Sequence, residues 1–126
     1  MKMVEQIEEF HAKFGLSQPG DPRLLDEAMA KFRIVCLKEE IAEFEEAIEK
    51  GDLPGAFDAL IDLAYFTLGT AHVMNLPWEA GWERVHAANM AKIRTERPAD
   101  SKRGSGFDVV KPAGWSAPIL DDLVRS

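Results

Sequence analysis

The chain is poor in several features, and each shortage narrows what it can be. Cysteine occurs once, as Cys36, so an internal disulfide is excluded and a reducing, cytoplasmic setting is expected. No His/Cys cluster has the spacing of a zinc site, and no Glu-x-x-His occurs, which counts against a ferritin-like di-iron bundle. There is no glycine-rich phosphate loop, no usable Ser/His/Asp order, no internal repeat and no low-complexity tract. No apolar run approaches membrane-spanning length, and the start, Met1–Gln6, lacks an apolar signal core, so a soluble protein without a membrane partner is expected. Positive charge is also short. Lys and Arg number 15 against 22 Asp and Glu, a net charge of −7, which argues against a nucleic-acid partner held on a basic surface. An anionic ligand would need a metal ion or a local basic group to approach.

What is present is ordinary globular material. At 126 residues, 46% hydrophobic and 29% charged, the chain suffices for one core. Val4, Ile7, Phe10 and Phe14 recur at helical steps and predict a short amphipathic helix over 3–14, stopped at Gly15. His11 lies beside that stripe and reads as a surface or boundary histidine rather than a substrate contact. Residues 16–22 are a loop by their Pro and Gly content, with Asp21 the expected N-cap and Pro22 the first helical residue of the next element. From Arg23 to Lys50 there is neither proline nor glycine, and Gly51 ends the run, predicting one long helix or two with a slight break. Asp52 and Pro54 open a third helix running to about Asn75. Its broad apolar girth predicts burial in a bundle or an oligomer interface. Trp78 to about Thr95 reads as a fourth helix with Trp82, Val85 and Met90 or Ile93 on its core face. Beyond Glu96 the pattern turns irregular: a basic loop over 97–106, a short strand or extended arm at 107–111, and one helical turn near 119–124. The expected division is a helical domain over 1–97 and an irregular arm over 98–126 that wraps the bundle or a neighbouring subunit.

Two acidic patches stand out. At about 100° per residue, Glu40 and Glu43 lie about 60° apart on one helix, and Asp58 and Asp62 about 40° apart on the next. If the two helices pack antiparallel across the short turn at Gly51, four carboxylates meet. Repulsion and desolvation would cost several kcal/mol unless a cation sits between them, and all-oxygen donors point to Mg²⁺, with Mn²⁺ as the substitute. A glutamate-rich helix face is more often merely solvated, and Glu45, Glu46 and Glu49 are read that way. Aspartates on an oily helix are harder to dismiss, because ionised carboxylates rarely stay buried unpaired. Asn89 and Lys92, three apart on the fourth helix, form an amide and ammonium pair suited to phosphate oxygens.

With these residues laid out, the chain resembles the all-α nucleoside triphosphate pyrophosphohydrolases of the MazG-like group, which has dimeric dUTPases and phosphoribosyl-ATP pyrophosphohydrolases as relatives. The resemblance covers about Arg33 to Lys92. It rests on Leu37-Lys38-Glu39-Glu40-x-x-Glu43 for the family's Glu-x-x-Glu helix, on Asp58-Ala59-Leu60-Ile61-Asp62 for its Glu-x-x-Asp helix, and on Asn89-Met90-Ala91-Lys92 for its Asn-x-x-Lys segment. One position departs: the family's second glutamate falls at Ala59, and the nearest acid is Asp58, one residue earlier. The tail around Val109–Trp115 is similar to an extension of short phage and bacterial members, and is unlike that of the phosphoribosyl-ATP enzymes.

An all-α four-helix bundle is expected, and the apolar breadth of residues 56–71, more than one partner helix could cover, predicts its assembly as a homodimer or homotetramer, in the cytoplasm of a cell or of a phage's host. The resemblance implies Mg²⁺ held by Glu40, Glu43 and Asp62 with Asp58 as the fourth ligand, Glu39 or a neighbouring acid as proton acceptor, and phosphate held by Asn89 and Lys92 with Arg97 and Lys102 as helpers. The implied reaction converts a nucleoside triphosphate, a guanine nucleotide foremost, to the monophosphate and pyrophosphate. The rival expectations are a dUTPase-like enzyme, a hydrolase of another phosphate ester, and a non-enzymatic helical module whose acidic face binds a basic partner.

Overall fold

The computed structural model describes residues 1–125. It is all-α apart from one two-stranded ribbon: α1 (Lys2–Lys13), α2 (Glu27–Lys50), α3 (Leu53–Val73), α4 (Trp78–Met90), β1 (Ile93–Arg94), a single 3₁₀ turn (Pro98–Asp100), β2 (Val109–Val110) and α5 (Asp121–Val124). No helix among the described residues is long and apolar enough to cross a membrane. The chain forms two compact units, one from Met1–Trp78 with Val124 and Arg125, the other from Glu79–Leu123.

The first unit is built on the α2–α3 hairpin, against which α1 packs through α3. Gly51 makes the turn possible. It caps α2 in the left-handed region at φ 67°, where glycine carries no side-chain penalty, and the Asp52 N–H then closes on the Ala47 carbonyl at 2.8 Å. Asp52 at once caps α3 by accepting from the Gly55 N–H at 3.0 Å, with Pro54 in the first turn. Two contacts fix an antiparallel register: Arg33 meets Gly69, and Glu40 meets Asp62, at a constant sum of residue numbers. Small residues line this seam. Ala47, Ala56, Ala59 and Gly69 are all buried, and they let the two backbones approach closely. The hydroxyls of Thr67 and Thr70 bond back to the carbonyls of Leu63 and Phe66, so these half-buried polar groups leave no donor unmet.

Four expectations need correction. The long helix does not start at Pro22, and its cap is Asp26, not Asp21: the Asp26 carboxylate accepts from the Met29 N–H at 2.8 Å. Residues 22–25 stay outside the helix, and Arg23 and the neighbouring loop are tied to the end of α3. The Arg23 N–H bonds the Met74 carbonyl at 3.1 Å, the Arg23 guanidinium reaches the Val73 carbonyl at 3.2 Å, and the Asn75 amide holds the Gln18 carbonyl at 2.8 Å. His11 is not at the surface but is among the most deeply buried side chains, 2% exposed. The fourth helix stops at Met90 rather than Thr95. Ile93 and Arg94 pair antiparallel with Val110 and Val109, and the Thr95 N–H bonds the Asp108 carbonyl at 3.0 Å. That pairing realises the strand expected near 107–111 and draws Lys92 off the helix. Trp82, Met90 and Ile93 are exposed rather than core residues.

In the second unit, Trp115 donates its indole N–H to the Ala88 carbonyl at 2.7 Å, while Arg84 forks onto Asp122 at 2.6 and 3.0 Å. The Ser101 hydroxyl and the Arg103 guanidinium both donate to Asp108, at 2.7 and 2.8 Å, which holds that carboxyl below the ordinary aspartate range.

The reassigned cap gives a direct check. Asp26→Ala should lower stability by on the order of 1 kcal/mol in urea unfolding, whereas Asp21→Ala should change it by less than about 0.5 kcal/mol. Equal losses at the two positions would return the cap to Asp21.

Candidate metal centre

α2 presents Arg33, Cys36, Glu40 and Ala47 as its buried positions, and the spacing of three, four and seven residues makes them one stripe facing the seam. Glu43 follows one turn after Glu40 and is exposed at the stripe's margin. From α3, Asp62 enters half-buried. One carboxylate oxygen each from Glu40, Glu43 and Asp62 lie within 4.8 Å of one another. Three of the four carboxylates expected to meet therefore do so. Asp58, one turn earlier on α3, is exposed and outside this group, though close enough for its charge to act on both Glu40 and Asp62.

The electrostatics follow from that geometry. Burial, a hydrogen bond to Glu43 and the charges of Glu43, Asp62 and Asp58 together push the Glu40 carboxyl up to about 7. Burial, Asp58 and Glu43 raise Asp62 as well. Among the described residues no lysine or arginine forms an ion pair with any of these acids. Glu40 Oε2 is buried without a hydrogen-bond partner. A buried carboxylate oxygen left over, two further carboxylates within reach and no cationic side chain make a donor set that fits a hard divalent cation.

The other expected site residues fall elsewhere. Glu39 is exposed on α2, and its charge raises the Cys36 thiol together with burial. Ala59, at the position where the resemblance expects an acid, is 2% exposed and packs in the seam. Asn89, Lys92, Arg97 and Lys102 all belong to the second unit. Asn89 and Lys92 do not share a helix face, since Lys92 lies beyond the end of α4 with its ammonium 5.4 Å from the centroid of the Trp115 ring. Arg97 is paired with Asp100 at 3.2 Å, and Lys102 is exposed.

The sequence reading missed a second polar group in the seam. Arg33 is 7% exposed and His11 2%. His11 Nδ1 donates to the Ile7 carbonyl at 2.7 Å, which leaves Nε2 to accept from Arg33 Nη2 at 3.4 Å. The His72 ring stands 4.7 Å from that of His11, and its Nε2 is 2.9 Å from the Ser17 hydroxyl. Burial, together with His72 and Arg33, holds His11 below the usual imidazole range, so it is neutral at pH 7. The signal for this group was available. Gly69 and His72 continue the polar stripe of Asp58 and Asp62 on α3, and Arg33 is seven residues before Glu40 on α2.

The raised carboxyls set the sign of a pH dependence. A group whose folded pKa is raised stabilises the fold below its unfolded value, and that contribution is lost as pH rises, here between about 4.5 and about 7 for Glu40. In EDTA the contribution of this cluster to Tm should therefore be larger at pH 5.5 than at pH 8. Mg²⁺ should raise Tm more at pH 8, where the carboxylates are free to bind it. An equal Mg²⁺ shift at the two pH values would disconnect the cluster from the cation.

Comparison with known proteins places this geometry. The family model described as phosphoribosyl-ATP pyrophosphohydrolase matches residues 7–89, a span that begins within α1, runs through α2 and α3 into α4, and holds the carboxylate cluster. None of the curated proteins compared with the chain matches it. That family is a relative of the MazG-like all-α pyrophosphohydrolases. With two thirds of its length matched and the acidic pair of helices in place, the chain belongs to the phosphoribosyl-ATP pyrophosphohydrolase family.

Proposed function

We propose that the protein is a metal-dependent pyrophosphohydrolase of nucleoside triphosphates, releasing a nucleoside monophosphate, a guanine nucleotide foremost, and pyrophosphate. Family membership gives the coarse activity, pyrophosphohydrolysis of a nucleotide. The observation that carries the finer reading is the meeting of Glu40, Glu43 and Asp62 within 4.8 Å around a buried, unpartnered oxygen. A nucleoside triphosphate, rather than a phosphoribosyl nucleotide, is preferred because the segment from 90 onward lies outside the family match.

In this reading Glu40, Glu43 and Asp62 would hold Mg²⁺ directly, and Asp58, one turn earlier on α3, would add its charge to the site, directly or through water. The bound cation supplies charge neutralisation and Lewis-acid polarisation at the phosphates. The protein's own groups do the rest. Burial of Glu40 keeps bulk water from screening the acidic cluster, and Glu39 accepts the proton of the attacking water. Phosphate oxygens are assigned to Asn89 and Lys92, with Arg97 and Lys102 as helpers, on the family's Asn-x-x-Lys segment.

Assembly is part of the same proposal. Ile34, Val35, Ile41 and Ile48 on α2 and Leu53, Phe57, Leu60 and Ile61 on α3 are each 48–79% exposed. A face of that extent on one hairpin is larger than a monomer ordinarily leaves in water, and a second copy covers it in a homodimer or homotetramer.

Incubation with Mg²⁺ and each common NTP and dNTP, followed by chromatography, should give monophosphate plus pyrophosphate. Asp62→Asn should abolish that turnover with the circular dichroism spectrum unchanged. Diphosphate plus orthophosphate would replace this reaction with another, and no turnover with Mg²⁺ or Mn²⁺ would favour an acidic interaction module. For the assembly, Ile48→Asp should shift sedimentation from the oligomer to the monomer, and a monomeric parent protein would remove the interface.

A further inference from the structure

The metal centre leaves Arg33 unexplained. Its guanidinium carries five N–H donors and is 93% shielded from solvent by its own fold. One donor is spent on His11 Nε2 at 3.4 Å. Nε is buried with no hydrogen-bond partner, and among the described residues no carboxylate pairs with the group. Leaving buried charged donors unmet costs more than leaving neutral ones, so a structural role alone would select methionine or leucine here. The fold also makes room for the group. A Cβ on Gly69 would stand 3.0 Å from Arg33 Nη1 and 3.1 Å from His11 Cε1, so the absence of a side chain at 69 keeps the guanidinium in place.

Position supplies the second half of the argument. Arg33 and Glu40 lie on the same stripe of one unbroken helix, seven residues apart, which is about 10.5 Å along the axis. That separation is comparable to the reach from the phosphates of a nucleotide to the far edge of its base. His11, the partner of Arg33, has the His72 ring 4.7 Å away and the Phe10 ring 5.4 Å away, and Phe10 in turn meets Tyr65 edge to face at 5.3 Å. The environment at this level is aromatic and donor-rich, where the level of Glu40 is anionic.

We propose that Arg33, oriented by His11, reads the base of the substrate through a pair of adjacent acceptors on one edge. This rests on the nucleoside triphosphate reading given above. Two bases offer such a pair to a guanidinium fork: guanine through O6 and N7, and cytosine through O2 and N3. Adenine sets its N6 amino group beside N1 and N7 and has N3 alone on its sugar-side edge, and uracil and thymine place N3–H between their carbonyls, so none of them offers the fork two adjacent acceptors. The acceptor Nε2 of His11 fixes the rotation of the guanidinium, and the neutral tautomer that bonds Ile7 is the one that leaves Nε2 free to do so.

The test compares kcat/KM for dGTP, dCTP, dATP and dTTP with Mg²⁺, for the parent protein and for Arg33→Lys, which keeps the charge and removes the fork. The parent should favour dGTP or dCTP. Arg33→Lys should cut the ratio of the favoured nucleotide to dATP by roughly ten- to a hundredfold, with dATP turnover near its parent value. In the parent alone, 7-deaza-dGTP or 3-deaza-dCTP, each lacking one acceptor of the pair, should fall toward dATP, an arm that holds even if the variant does not fold. Preference for dATP or dTTP, or a ranking untouched by Arg33→Lys and by the deaza analogues, overturns the assignment while pyrophosphohydrolysis stands. Dissociation of the oligomer by Arg33→Lys with the ranking intact would instead give Arg33 to a carboxylate of a second copy and overturn it too. No turnover of any nucleotide overturns both this assignment and the reaction it rests on.

Discussion

Like charges held together on a helical seam are the constraint around which the first unit is arranged. At an effective dielectric near 20, two carboxylates about 4 Å apart repel by about 4 kcal/mol, whereas a helix cap contributes about 1 kcal/mol. The Glu40–Glu43–Asp62 group therefore cannot be fully ionised without compensation, and the fold has only two ways to supply it. A proton does so within the protein, which is why the Glu40 carboxyl is raised to about 7. A divalent cation does so from outside, and the absence of any ion-paired lysine or arginine among the described residues around the cluster leaves that route open. The turn at Gly51, the double use of Asp52 and the alanine-lined seam all act to hold this unfavourable arrangement fixed.

The same seam sorts its polar groups by level. Near the hairpin turn it is sealed by Ala47, Ala56 and Ala59; two turns of α2 separate the acidic level from the donor level at Arg33. An anionic end and a donor end on one rigid pair of helices are what the proposed ligand, divided into phosphates and a base, requires. Because α2 is continuous from Glu27 to Lys50, the spacing between the two levels is set by helix geometry and not by loop conformation.

The fold class and the acidic cluster were legible because both depend on short-range pattern. Helical periodicity places Glu40 with Glu43, and the short link at Gly51-Asp52 forces α2 and α3 to be antiparallel neighbours, so Asp62 could be placed without knowledge of the rest. What escaped depended on contacts distant in sequence. Asp21 and Pro22 have the local grammar of a helix start, but the carbonyls of Val73 and Met74, some fifty residues on, capture Arg23 and keep the segment out of the helix. Ile93 and Arg94 continue the spacing of α4, yet pairing with Val109 and Val110 wins. His11 looked peripheral because α1 by itself gives no hint that α3 brings Gly69, a residue with no side chain, against it. Ala59 was legible as a departure from the family pattern: it is buried in the seam, and the nearest acid, Asp58, stays on the face of Asp62 but one turn away and exposed, so it acts on the cluster by its charge.

Cys36 sits on the same buried stripe, between Arg33 and Glu40, and burial with the charges of Glu39 and Glu40 holds its thiol above the ordinary range despite the nearby guanidinium. The thiolate is the species that reacts with alkylating agents and oxidants, so this side chain is inert while the two helices remain in contact. As the one thiol in the chain, it converts any opening of the hairpin into a chemical event at a single atom. The rate at which Cys36 is modified thus becomes a clock for the breathing of the helices that carry the carboxylates, slowed by whatever ties those helices together.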